Sequence, residues 1–81
     1  MEVKILGPEQ ESGGRLLERT RQAFEQIGAE AVFVKETDPE EYSLYIMEVP
    51  GLVVDERVLH SGEPLPNVEE IKELLRLNFN L

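Results

Sequence analysis

The chain contains no cysteine. That absence excludes disulfide scaffolding, thiol catalysis and cysteine-based zinc binding. Histidine occurs once, as His60, so a site built from several histidines is excluded too, and no metal or cofactor is expected. Basic residues are scarce: 8 Lys and Arg stand against 17 Asp and Glu, a net charge of −9. Affinity for nucleic acid comes largely from neutralising phosphates with Lys and Arg, so nucleic-acid binding is not expected. The same charge favours solubility and, where a partner exists, a cationic one. Long apolar runs are also missing. None approaches the roughly 18 residues of a membrane span, and MEVKILG lacks a basic stretch ahead of a long apolar one. Neither a membrane role nor a signal peptide is expected, which leaves the cytoplasm as the simplest location.

What is present fits one small domain over residues 1–81. Hydrophobic residues make up 41% of the 81 positions, enough for a compact core and too many for a disordered tail. A chain this short buries only about 60–65% of the surface its unfolded form exposes.

EVKIL, 2 to 6, reads as a strand. Residues 15 to 27 read as a helix, because Leu16, Thr20, Ala23, Phe24 and Ile27 recur at spacings of three and four, with Gly28 placed as C-cap. EAVFVK, 30 to 35, is β-branched and aromatic and reads as a second strand. TDPEE starts a short helix, about 39 to 45, with Asp38 as cap, Pro39 at the first position and Glu41 completing a capping box. GLVV and RVLH flank Asp55-Glu56 and read as a β-hairpin. A tight turn of that kind asks for a left-handed backbone, which costs a residue with a side chain about 1–2 kcal/mol, so either strain at Glu56 or another turn type is expected. Asn67, with Glu70 three residues on, caps a last helix whose buried stripe is Val68, Ile71, Leu74 and Leu75. The order β-α-β-α-β-β-α gives an α/β fold. Its first βαβ unit is a right-handed crossover with parallel strands, the hairpin adds two antiparallel strands, and helices cover both faces of a four-stranded mixed sheet.

Three stretches carry a family resemblance: KILG at the start, YIMEVPGLVVDERVLHSG over 45 to 62, and NVEEIKELL over 67 to 75. In order and spacing they resemble the small thioredoxin-like proteins often called redox-active disulfide proteins, of glutaredoxin size. The resemblance implies a three-layer thioredoxin-like fold, with Pro50 in the place of the family's cis-proline. It places the family's two active-site cysteines on Gln10 and Gly13. Thiol–disulfide exchange needs a thiolate to attack a sulfur, and neither Gln10 nor Gly13 supplies one. A redox-inactive member of a redox fold is therefore expected, and not an enzyme of thiol chemistry.

The loop GPEQESGG, 7 to 14, then needs another use. Backbone N–H groups at Ser12-Gly13-Gly14 could hold an anion, but Glu9 and Glu11 repel one, and Ser12 or Glu11 acting as helix cap is the simpler reading. Ser12 as a nucleophile lacks a base, since His60 lies on the distant hairpin. Glu9, Glu11 and Glu48 could crowd together for acid–base work. The resemblance implies a binding use instead. Family substrates lie extended beside the cis-proline loop and pair with the residue before it, here Val49, which requires no cysteine. The expected groove comprises Glu9, Gln10, Glu11, Ser12, Gly13, Glu48, Val49 and Pro50, and its acidity suits a basic or neutral peptide of another protein. A third expectation is a structural homodimer through Tyr42, Tyr45, Phe79 and Leu81.

Overall fold

The structure, a computed structural model, describes residues 1–81. Its elements are β1 (Glu2–Leu6), α1 (Glu11–Ile27), β2 (Val32–Glu36), α2 (Pro39–Tyr42), β3 (Gly51–Val54), β4 (Arg57–Ser61) and α3 (Val68–Phe79). The sheet order is β2-β1-β3-β4. β1 runs parallel to β2 and antiparallel to β3, and β3 pairs antiparallel with β4. The mixed four-stranded α/β sheet expected from the sequence is present.

Alternation along β1 divides the core. Val3 and Ile5 join Leu52, Val54, Leu16, Phe24, Ile71 and Leu75 in the larger cluster, so α1 and α3 cover one face together. Leu6 points to the other face, where it meets Val53 and Ile46 under Tyr42, Tyr45 and Val49. Because both faces are covered, all four residues of β3 are buried, and its sequence is a continuous apolar run rather than an alternating one. Thr20 is fully buried in the α1 stripe and satisfies its hydroxyl by donating to the Leu16 carbonyl at 2.8 Å.

Three local expectations change. First, α1 begins at Glu11, one turn earlier than the apolar stripe indicates. Its N-cap is Gln10, which makes no side-chain capping bond, so neither Ser12 nor Glu11 is the cap. Ser12 lies inside the helix, one turn before Leu16 on the buried stripe. Second, α2 stops at Tyr42 rather than 45. Asp38 caps it by accepting from the Glu40 N–H at 3.0 Å, but the Asp38 N–H donates to Glu36 instead of Glu41, so the box is not closed. Third, β2 begins at Val32, not at residue 30. The other caps stand. Gly28 is left-handed at φ 82, and Asn67 and Glu70 close a reciprocal capping box at 2.8 and 2.9 Å.

The hairpin turn takes the left-handed backbone, with φ 45 at Asp55 and 69 at Glu56. Side chains hold it there. Asp55 Oδ1 accepts from the Glu2 N–H at 2.7 Å. Glu56 accepts from the Tyr45 hydroxyl at 2.6 Å and from Lys4 Nζ at 3.1 Å. The Tyr45 hydroxyl bond, then the Lys4 bond, hold the Glu56 carboxyl below its ordinary 4.5. The bond to Glu56 pushes Tyr45 above its ordinary 10.0 and, with Tyr45's help, Lys4 above 10.5. A lowered carboxylate contributes stability that is present above its unfolded value and lost as pH falls through the folded one. The raised Tyr45 and Lys4 contribute stability that is full below their unfolded values and lost as pH rises through the folded ones. The stability difference between the native chain and Glu56→Gln is therefore largest between about pH 5 and 9 and shrinks on both flanks. Urea melts across the pH range check this, and a difference independent of pH contradicts it.

Of the residues expected to form a dimer contact, Tyr42, Tyr45 and Phe79 pack within the chain. Tyr42 and Tyr45 pack on the Leu6 cluster. Phe79 packs against the main core with the Arg57 guanidinium over its ring at 5.2 Å. Leu81 stays partly exposed. No helix is long and apolar enough to cross a membrane.

Candidate functional site

β1 delivers the chain to Gly7, which sits at φ 137, and its N–H is tied to the Glu36 carbonyl at 3.0 Å. A Cβ on Gly7 would lie 3.1 Å from Val49 Cβ. Glycine is needed here twice over: for the backbone angle, and for the close approach of the Val49-Pro50 segment. Gly7→Ala is expected to cost about 1–3 kcal/mol. A lower urea midpoint with an unchanged slope checks it, and an unchanged midpoint contradicts it.

The Val49-Pro50 peptide is cis. It lies against Gly7, the first residue of the loop that leads into α1. Between β1, this loop and the end of β2 lies a depression of about 20 Å³, lined by Gly7, Pro8, Gln10, Gly13, Lys35 and Thr37 among others. That is room for about one water. The depression is too small to enclose a small-molecule ligand.

Of the eight expected residues, Val49 is half-buried and Pro50 is fully buried, so the proline ring packs inside the fold rather than lining an open groove. The other six divide into three sets. Gln10, exposed, and Gly13, half-buried, stand at the N-cap and in the first turn of α1. Ser12 faces inward and is 9% exposed, so it belongs to the helix packing rather than to an open groove. The three glutamates do not form a cluster. Glu9 pairs with Lys35 at 3.6 Å and Glu11 with Arg15 at 2.8 Å, while Glu48 packs over Gly62. No set of three or more acidic or histidine side chains is grouped closely enough to hold a metal ion. The mutual crowding that acid–base work would need is absent. Lys35 and Thr37 enter the site unforeseen, because parallel pairing of β2 with β1 brings the end of β2 beside the loop. Sequence spacing alone carries no signal of that.

The backbone supplies the most distinctive feature. Ile46 N–H bonds back to Tyr42, and the Pro50 carbonyl accepts from Gly62 N–H at 2.9 Å. Between them, Met47, Glu48 and Val49 have no backbone hydrogen-bond partner inside the chain, and the Met47 side chain is fully exposed.

The βαβ unit, the antiparallel hairpin, the helix with Gln10 at its N-cap and the proline loop beside Gly7 make one pattern. The family model described as "Thioredoxin domain" matches residues 1–76. The chain belongs to the thioredoxin domain family. A thioredoxin of Methanocaldococcus jannaschii is 32% identical over 74 residues, covering 91% of this chain and 85% of that protein. No solved structure matches. In this thioredoxin domain the start of α1 carries Gln10 and Gly13 and no sulfur.

Proposed function

We propose that this thioredoxin domain is redox-inactive and binds an extended segment of another protein beside the Val49-Pro50 loop. The observation that carries the reading is the free backbone of Met47 to Val49. A strand-like peptide gains affinity from main-chain hydrogen bonds and specificity from alternate side chains, and Val49 offers an unused N–H and carbonyl next to Gly7. Exposed Glu9, Gln10, Glu11 and Glu48 flank that edge and favour a neutral or basic segment. Binding, rather than acid–base turnover, is the reading because Glu9, Glu11 and Glu48 each meet a different neighbour and do not crowd together.

The test titrates the native chain and the double variant Glu9→Gln/Glu11→Gln with synthetic peptides alternating lysine and valine. Binding is expected to weaken in the variant and to lose part of its salt dependence. Equal affinity and equal salt dependence in the two proteins would remove the acidic rim from the account.

A further inference from the structure

β4 is an outer strand, paired only with β3. Its pairing is irregular. His60 opposes Leu52 and Val58 opposes Val53, so Leu59 is an extra residue between them. In a regular strand successive side chains point to opposite faces. A bulge breaks that rule and re-aims a side chain. Here it puts Leu59 and His60 on the same side, and both line a groove of about 620 Å³ between β4, the turn 63–66 and α3. The size falls in the range of binding clefts.

The groove has an apolar floor and an acidic rim. Leu59, Leu65 and Leu74 supply the floor, and Glu63, Glu70 and Glu73 the rim. No Lys or Arg lines it. Glu73 is partly countered by Arg76 at 3.5 Å, and Glu70 spends one oxygen on the Asn67 N–H, whereas Glu63 has no ion-pair partner. His60 is held toward the turn by a 2.8 Å bond between Nε2 and the Gly62 carbonyl.

The geometry points to a second docking site here, independent of the Val49 loop, for an extended peptide segment that alternates aliphatic with Lys or Arg side chains. Charge complementarity selects the cation: the rim carries surplus negative charge on a chain of net charge −9. The leucine floor selects an aliphatic companion. The open outer edge of β4 selects a backbone able to lie along a strand over a compact amine.

The experiment uses the isotopically labelled full chain and a peptide alternating leucine with lysine. Saturable amide shifts are expected at Leu59, His60, Leu65, Glu70 and Leu74. The double variant Glu63→Lys/Glu73→Gln, with native circular dichroism, is expected to bind about tenfold more weakly. A peptide with glutamate in place of lysine, and free spermidine, are expected not to saturate. Shifts confined to Gly7–Gly14 and Met47–Pro50 would assign the peptide to the other surface and overturn this site while leaving the Val49 reading intact. Unchanged affinity in the double variant, no saturation by the leucine–lysine peptide, or equal binding of spermidine or the acidic peptide would overturn it as well.

Discussion

Replacing Gln10 and Gly13 together with cysteine is expected to give a chain that reduces oxidised glutathione measurably, where the native chain is expected not to. The positions suit the chemistry. Gln10 caps α1 and Gly13 lies in its first turn, so the two thiols would sit three residues apart at a helix N-terminus. An added Cβ at Gly13 meets nothing within 4 Å, so the side chain is accommodated without rearrangement. Thiols at helix N-termini have depressed pKa values, commonly about 3.5–7.5, and are therefore partly or fully thiolate near neutral pH. The native chain holds only the thioethers Met1 and Met47 as sulfur. The variant dithiol passes two electrons to oxidised glutathione, releasing two reduced glutathiones, and dithiothreitol reduces the variant's disulfide again. Chromatographic measurement of the glutathione released, compared with dithiothreitol alone, reads the difference. Turnover by the native chain, or none by a double variant shown to form its disulfide, would contradict the assignment of these positions.

Leu75→Ala is expected to destabilise the domain by about 3 kcal/mol, while Leu77→Ala on the same helix costs less than about 0.5 kcal/mol. Leu75 is fully buried in the cluster shared by α1, α3 and the sheet, whereas Leu77 is 75% exposed. The substitution is chemically the same and the helix propensity change is the same, so the difference isolates packing. Small domains hold roughly 5–15 kcal/mol in all, so the loss at Leu75 is a large fraction. Urea denaturation of the two variants checks it, and equal midpoints would contradict the packing account.

Much of this architecture is legible in the chain because it rests on periodicity and caps. Leu16, Thr20, Ala23 and Phe24 announce α1 by spacing, Asn67 and Glu70 announce the start of α3, and GLVV with RVLH announces the hairpin. The beginning of α1 is less legible. Glycine is a poor helix former, so Ser12-Gly13-Gly14 reads as loop. In the structure Ser12 extends the buried stripe and the Arg15–Glu11 pair bridges the first turn. Val68 and Leu74 fall on the apolar stripe of α3 but line its margin, with Leu74 half-open to the β4 groove.

The candidate site is legible only as two segments. The family resemblance implies that residues 7–13 and 48–50 meet, and in the structure Gly7 lies against Val49. The side-chain partners are set by tertiary pairing that spacing does not encode. Lys35 reaches Glu9 through the parallel register of β2, and Glu48 turns toward Gly62. A cluster of glutamates counted along the chain therefore dissolves into separate contacts. The β4 bulge at Leu59 is illegible for the same reason, since it is a relation between two strands.

Hydrogen exchange at the Val49 amide tests the central proposal most directly. The amide is monitored in the free chain and in the presence of the lysine–valine peptide at saturation. The account predicts fast exchange in the free chain and marked slowing on binding, as the N–H enters a new strand pairing. Saturable binding that leaves Val49 exchange unchanged would contradict it.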